Sequence, residues 1–347
     1  MSHHSKANTL SVLLSLIFTF MILTILILLI GKDPVEVYSL IYNDVFTSGY
    51  GIGQTLFKAT PLIFIACGLA ICFHASLFNI GAEGQLNAGS FVIALTAVQT
   101  ESFPLILKLL ICAGAGFVAA GLVGLIPAVI KVKKGVSEVI TTIMMNFVVL
   151  AVINYLMVDF FAVKSTLRTV SIGDDSLLGK ASDLFPFFEG SSLNVSFIAA
   201  LVVAALVYIL IYKTTFGYKL RAVGFNETAS RYIGVKVNKM ILTSFFIGAG
   251  ITALVGINYI FGYKGYYELG FSNNIGFTAI AVSLLAKNNP AGIVFSSILF
   301  AALDYGGLAV NQLIPKEVML VVQGLIILSI LSSDSIVQSY FKKRGLI

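Results

Sequence analysis

Residues 10–30 read LSVLLSLIFTFMILTILILLI, 21 consecutive positions without a charge. At about 1.5 Å per residue, such a run crosses the roughly 30 Å hydrocarbon core of a bilayer as one helix. A secretory signal has an apolar stretch of about 7–15 residues and then a small-residue cleavage site. Here the stretch is longer and Gly31-Lys32-Asp33-Pro34 follows, so it reads as an uncleaved first span. Further uncharged windows lie at 59–82, 84–100, 109–130, 139–158, 190–212, 240–263, 269–286, 288–303 (continuing past Asp304 to about 311) and 318–333. The expected fold is therefore all-α: a polytopic membrane protein of about ten transmembrane helices, some of them broken around a central path.

Composition agrees. The 347 residues are 58% hydrophobic and 11% charged, with a mean hydropathy of +0.98. Soluble domains carry roughly 25% charged residues, so this chain lacks the charge to cover a water-soluble globule. It also has no room for a separate catalytic domain. Cys67, Cys72 and Cys112 all sit in apolar runs, which argues against a disulfide framework. His3, His4 and His74 do not make a metal site by themselves.

The net charge of +6 is a topological signal. With the N-terminus in the cytoplasm and one crossing per window, 14 of the 22 lysines and arginines fall on the cytoplasmic side, and the outer segments gather acids such as Asp159, Asp174, Asp175, Asp183 and Glu189. Basic residues accumulate on the inner face of membrane proteins, so both termini are expected inside and a nucleic-acid partner is not. The whole chain, 1–347, reads as one membrane domain. It has an external loop at 159–192 and a cytoplasmic loop at 213–239, the latter with six basic residues and one acid.

Three stretches carry chemistry. Residues 77–87, LFNIGAEGQLN, set Phe78, Asn79, Glu83 and Gln85 among small residues inside an apolar region. Polar side chains at membrane depth are costly and face a cavity or a partner. This stretch is either a short cytoplasmic turn or a broken helix lining the translocation path. Residues 135–147, GVSEVITTIMMNF, open a span: Ser137 is placed to cap it, and Glu138 suits the positive end of its dipole. Thr142 and Asn146 are four apart and share a face, offered to a solute or to a neighbouring helix. Residues 217–235, GYKLRAVGFNETASRYIGV, place Asn226 to cap a short helix that begins at Glu227 and ends at Gly234. It presents Ala229, Tyr232 and Ile233 on one face with Arg231 beside them. Such a helix docks a soluble partner or lies on lipid.

A weaker parallel links 68–81 with 276–292: GLAI precedes Asn79-Ile80-Gly81, and GFTAI precedes Asn289-Pro290-Ala291-Gly292. Duplicated, interrupted helices recur in transporters, and Gly/Ala-rich membrane sequences also match by chance.

Together these stretches resemble the permeases of ATP-binding cassette importers in the ribose, nucleoside and branched-chain amino acid group, nearest the larger permease of bacterial nucleoside importers. The resemblance runs over roughly residues 8–340, and an Asn-Ile-Gly-x-Glu-Gly-Gln run such as 79–85 is typical of that subgroup. It implies a transport subunit, not an enzyme, in the bacterial cytoplasmic (inner) membrane, importing a nucleoside or related ribose-type solute. It also implies a second permease subunit, a cytoplasmic ATPase that binds ATP and Mg, and an external solute-binding lipoprotein. The loop holding Arg221, Gly224, Asn226, Glu227, Ala229, Arg231 and Gly234 corresponds to the element that docks on the ATPase. The sequence itself contains no Gly-x-x-x-x-Gly-Lys-Ser/Thr phosphate cradle, so no cofactor is expected in this chain. The alternative is a proton-coupled secondary transporter with Glu83, Glu138 or Asp304 as carrier; Asp304 is then either functional or held by Asn311 or Lys316.

Overall fold

The computed structural model describes residues 17–18, 20–315 and scattered positions from 318 to 329. Along 20–309 the described helices are α1 (Phe20–Leu29), α2 (Pro34–Phe46), α3 (Gly49–His74), α4 (Ala82–Gln99), α5 (Leu105–Lys134), α6 (Glu138–Leu156), α7 (Ser196–Lys213), α8 (Thr215–Phe225), α9 (Glu227–Tyr232), α10 (Val237–Thr252), α11 (Ile275–Leu285) and α12 (Pro290–Ala309). Wide π-helical turns extend α6 through Met157–Phe161 and follow α10 at Ile257–Lys264. No named strand occurs among the described residues, only two isolated bridges.

Six of these segments are long and apolar enough to cross a membrane: Gly49–His74, Leu105–Lys134, Glu138–Phe161, Ser196–Lys213, Val237–Lys264 and Pro290–Ala309. The chain is thus a polytopic all-α membrane protein. The expected windows shift in instructive ways. The second begins ten residues early and stops at His74, not at 82. The window at 269–286 yields only the 11-residue α11, far short of the roughly 20 residues a full crossing takes. Between 318 and 333 only scattered positions are described, so that window lies largely outside the described residues. One helix, α2, has no counterpart among the windows, because Glu36, Asn43 and Asp44 keep its hydropathy down. It is started by Asp33, whose carboxylate accepts the Val35 N–H at 2.9 Å, with Pro34 in the first turn.

α3 is the axis of the bundle, with 83% of its apolar window buried, whereas α5, α6 and α7 bury 22–28% of theirs and turn most of their surface outward. α3 crosses α10 where Gly68 meets Gly248. A methyl on Gly68 would lie 2.4 Å from the Gly248 carbonyl oxygen, so the two backbones touch as small-residue crossings in membranes allow. α5 ends at Gly135 in the left-handed conformation (φ +70°) with Lys131, Lys133 and Lys134 in its last turn, where cations suit the negative helix end. The three cysteines are buried and free.

The two long loops lie at opposite ends of α7. At one end the 159–192 segment pairs with the 265–269 turn (Thr169 N–H to Tyr267 O 2.9 Å, Ile172 N–H to Gly265 O 2.8 Å, Leu269 N–H to Leu167 O 3.0 Å) and forms a small cap. The start of α3 packs under it, with Gly49 against the Phe187 carbonyl. At the other end lie α8 and α9.

Candidate functional site: a broken helix, a membrane cavity and a docking end

After His74 the chain does not turn straight into the next helix. Residues 75–81 are non-helical yet mostly buried, with Asn79 fully so. Backbone groups in such a position need partners, and α6 supplies them. Glu138, Thr142 and Asn146 stand at i, i+4 and i+8 on one helix face. Glu138 Oε1 accepts the Phe78 N–H (3.3 Å), Thr142 Oγ1 accepts the Ile80 N–H (3.2 Å), and Asn146 Oδ1 accepts the Gly84 N–H (2.8 Å) while its Nδ2 donates to the Ile80 carbonyl (2.9 Å). Glu138 is fixed in turn by Lys131 at 2.6 Å. Ser137, expected to cap α6, occupies the cap position but makes no side-chain cap bond; the Glu138–Lys131 pair anchors that end instead.

Asn79 and Gln85 clasp each other, Asn79 Nδ2 to Gln85 Oε1 at 2.9 Å and Gln85 Nε2 to Asn79 Oδ1 at 3.1 Å, and Asn79 Oδ1 also accepts the Gly81 N–H at 3.0 Å. Asn289 does the same for the Ala291 N–H at 3.0 Å at the start of α12. The sequence parallel between 79–81 and 289–291 is thus a shared Asn turn: it caps α12 at Asn289 but stands two residues ahead of Gly81, the uncapped start of α4, and α3 and α11 before the two turns differ greatly in length. Phe78 is part-exposed and packs on Phe73, ring centres 4.9 Å apart.

Glu83, 4% exposed, joins two helix starts. It lies in the first turn of α4, and its Oε2 accepts the Gly276 N–H of α11 at 2.8 Å while Oε1 accepts the Ser272 hydroxyl. Among the described residues no cation pairs with it; the partial positive charge of two helix N-termini balances it instead. Asn87 extends the knot, donating to Ser272 Oγ (3.0 Å) and accepting from the buried Tyr267 hydroxyl (2.9 Å).

Ser272 also lines a cavity of about 240 Å³ between α3, the π-turn after α10, α11 and α12. Its walls carry the aromatic rings of Phe57, Tyr259, Phe271 and Phe300 and the polar groups of Asn258, Asn273 and Thr278. Two local features shape it. Pro61 has no N–H to give the Phe57 carbonyl four residues earlier, and both residues line the cavity. The wide π-turn, a geometry common at functional positions, brings Tyr259 to the cavity wall, while the Asn258 amide beside it accepts from Asn194 and Ser196. Lys58 and Asp304 pair in its wall, Nζ to Oδ2 at 2.5 Å, each side chain about one-third exposed or less. The structure gives Asp304 an ion-pair partner that its own window does not suggest, Lys58 of α3; Lys316 lies outside the described residues. A neutralised Asp304 is poorly placed to be a proton carrier.

At the opposite end, α8 leans on the end of α3. Gly224 touches the His74 carbonyl so closely that a methyl there would lie 2.2 Å from the oxygen. Ser76 Oγ donates to the Gly224 carbonyl at 2.7 Å, the His74 ring nitrogen meets the Asn288 carbonyl at 3.1 Å, and Arg221 sits 5.3 Å from the Tyr212 ring centre. Beyond it Asn226 accepts the Ala229 N–H at 2.9 Å and starts α9, Arg231 pairs with Glu227 at 2.7 Å, and Gly234 (φ +85°) ends the turn. Phe225, Tyr232 and Ile233 stand 90%, 88% and 69% exposed, an apolar tip rimmed by charge.

Of the residues the sequence singled out for the solute path, Asn79, Glu83, Gln85, Thr142 and Asn146 converge on the start of α4 and bond within the chain. Phe78 stands apart. The residues around the cavity were missed, apart from Asp304. The signals were present in Lys58, one residue before an apolar window, and in Pro61 three residues later.

Residues 51–331 match the family described as the branched-chain amino acid transport system / permease component. The chain is 35% identical to the guanosine ABC transporter permease protein NupP of Bacillus subtilis over 92% of its length and 93% of that protein. It is 31% identical to the nucleoside ABC transporter permease protein NupB of Lactococcus lactis, covering 91% and 88%. It is 30% identical to the glucose ABC transporter permease protein TsgB13 of Haloferax volcanii, covering 88% and 82%.

Proposed function

The chain belongs to the permease-component family of branched-chain amino acid transport systems, a family of transport subunits, and from that membership we propose that it imports a nucleoside or a related ribose-type solute through the cavity beside α3. The observation that carries this reading is the cavity itself. The rings of Phe57, Tyr259 and Phe271 and several amide and hydroxyl groups surround a space walled by apolar helices, which suits a flat base joined to a polyhydroxyl ring. The names of two relatives point to the same solute class, and the third, a glucose permease, shares the polyhydroxyl part.

In this reading the 159–192 cap faces outward, toward a solute-binding lipoprotein. The α8–α9 end faces the cytoplasm with both termini, and the membrane is the bacterial cytoplasmic membrane. Arg221, Gly224, Asn226, Glu227, Ala229, Arg231 and Gly234 build the element that docks on a separate ABC ATPase, which holds ATP and Mg. The outward faces of α5, α6 and α7 meet lipid and a second permease subunit. Closure of the ATPase presses α8, α8 presses the end of α3 through Gly224 and His74, and α3 carries the displacement to Lys58 and the cavity. The segment 75–81, with Asn79, Gln85, Thr142 and Asn146, holds the start of α4 as the inner wall of the path, and Glu83 ties that wall to α11.

The test is uptake of labelled nucleosides by cells expressing the complete transporter. The proposal expects uptake to stop on ATP depletion and to persist under a protonophore when ATP is clamped. Loss of uptake under the protonophore at constant ATP overturns it in favour of proton coupling.

A further inference from the structure

We infer that the Lys58–Asp304 pair recognises the vicinal diol of the solute's sugar ring; this rests on the cavity being the solute site. A hydroxyl group is at once a donor and an acceptor. The pair presents the matching surface, an ammonium beside a carboxylate, in the wall of the cavity. Lys58 spends one of its three N–H donors on Asp304 Oδ2, leaving two. The Asp304 carboxylate, with about four acceptor positions, spends one on Lys58. Two adjacent hydroxyls therefore satisfy both groups together: each donates to a carboxylate oxygen while the ammonium donates back to a hydroxyl oxygen.

Charge and placement favour this ligand over others. Lys58 and Asp304 are the only two charged residues among those lining the cavity, so the site is electrically balanced and suits an uncharged solute. A phosphorylated solute would meet no net compensating charge. The aromatic side chains Phe57, Tyr259 and Phe271, each half-buried at the cavity, supply stacking faces, which any base satisfies. The sugar, rather than the base, is then the part that is read by charge-assisted hydrogen bonds, the stronger kind. Pro61 helps from beside Lys58, since it leaves the Phe57 carbonyl without its helical donor.

The experiment compares inosine with 2′-deoxyinosine, which differ by one hydroxyl of the diol, in the complete transporter with one unchanged binding protein. The binding protein's own preference then cancels between the wild type and each variant. The ribo-to-deoxy uptake ratio is expected to fall about tenfold in D304N, the size of one charged hydrogen bond. The same ratio is read by equilibrium binding of both labelled nucleosides to the purified full chain in lipid nanodiscs, which decides the matter if a variant transports neither. The charge-swapped K58D/D304K, which preserves the tie between α3 and α12, is expected to keep more of the preference than D304N. A ribo-to-deoxy ratio unchanged in D304N overturns the inference and leaves the pair as a structural tie. If the wild-type transporter takes up neither nucleoside, the nucleoside reading of the cavity fails first.

Discussion

Replacing Gly224 with alanine tests the path from the docking end to the cavity at its narrowest point. The new methyl lies 2.2 Å from the His74 carbonyl oxygen and 3.0 Å from its carbon, both backbone atoms, whereas ordinary contact begins near 3.4 Å. Neither atom belongs to a side chain that can swing away, so α8 must retreat from the end of α3 by roughly 1 Å to recover van der Waals distance. That retreat stretches the Ser76–Gly224 hydrogen bond from 2.7 Å to beyond its useful range. It also draws Arg221 off the Tyr212 ring. Overpacking of this kind costs about 1–3 kcal/mol, which the bundle tolerates. The mechanical cost falls on transmission, because the push of the ATPase now closes a gap before it moves α3. In proteoliposomes of the complete transporter, G224A is expected to keep ATP hydrolysis within about twofold and to lose uptake by tenfold or more, since misplacements near 1 Å cost about that much or more in geometry-dependent steps. A variant with wild-type uptake per ATP hydrolysed would falsify the proposed route through Gly224 and His74.

Three further outcomes are expected. Asn146→Ala strands the Gly84 N–H and the Ile80 carbonyl in a buried seam, so the purified protein should lose about 1–3 kcal/mol, read as a lower Tm in detergent; an unchanged Tm means that water replaces the amide. Glu83→Gln keeps the shape but removes the charge between two helix starts, and a drop in Tm smaller than that of Asn146→Ala, with uptake strongly reduced, would separate a moving joint from a static one. Equal effects on both measurements would argue for a purely structural knot. Glu227→Arg breaks an exposed i,i+4 pair worth only about 0.3–0.5 kcal/mol, so folding should be intact while co-purification with the ATPase falls; undiminished co-purification removes α9 from the interface.

How far the sequence could be read depends on the range of the interaction. Windows of apolar residues located most long helices, and the short-range caps at Asn226 and Gly234 emerged as residue type and spacing dictate. The polar residues at 79–87 and 138–146 were recognisable as costly at membrane depth, and membrane physics does require partners for them. Which partners was not legible: Thr142 and Asn146 meet backbone groups more than 60 positions earlier, and nothing local encodes that. The cavity was hidden for the same reason. Lys58 and Asp304 lie 246 positions apart, and each looks, in its own window, like a charge at the edge of a span. α11 was overestimated because the turn before it, with Phe271, is apolar enough to prolong the window although Asn273 and Asn274 take left-handed conformations that stop a helix.

The seam between residues 78–84 and α6 sets two different rulers side by side. Four helical residues advance about 6.0 Å, and two extended residues advance about 6.6 Å, so the steps from Glu138 to Thr142 and from Phe78 to Ile80 nearly coincide. The error grows by roughly 0.6 Å with each step, and a few steps would carry donor and acceptor out of register. The chain is no longer extended at Gly81 (φ −82°, ψ 6°), directly after the second rung, and reaches Asn146 as a helix. Vernier drift of this kind limits how long an unwound stretch can run beside a helix. Lengthening 75–81 by two residues should therefore not deepen the seam: it should eject the surplus as a bulge and leave the start of α4 where it is.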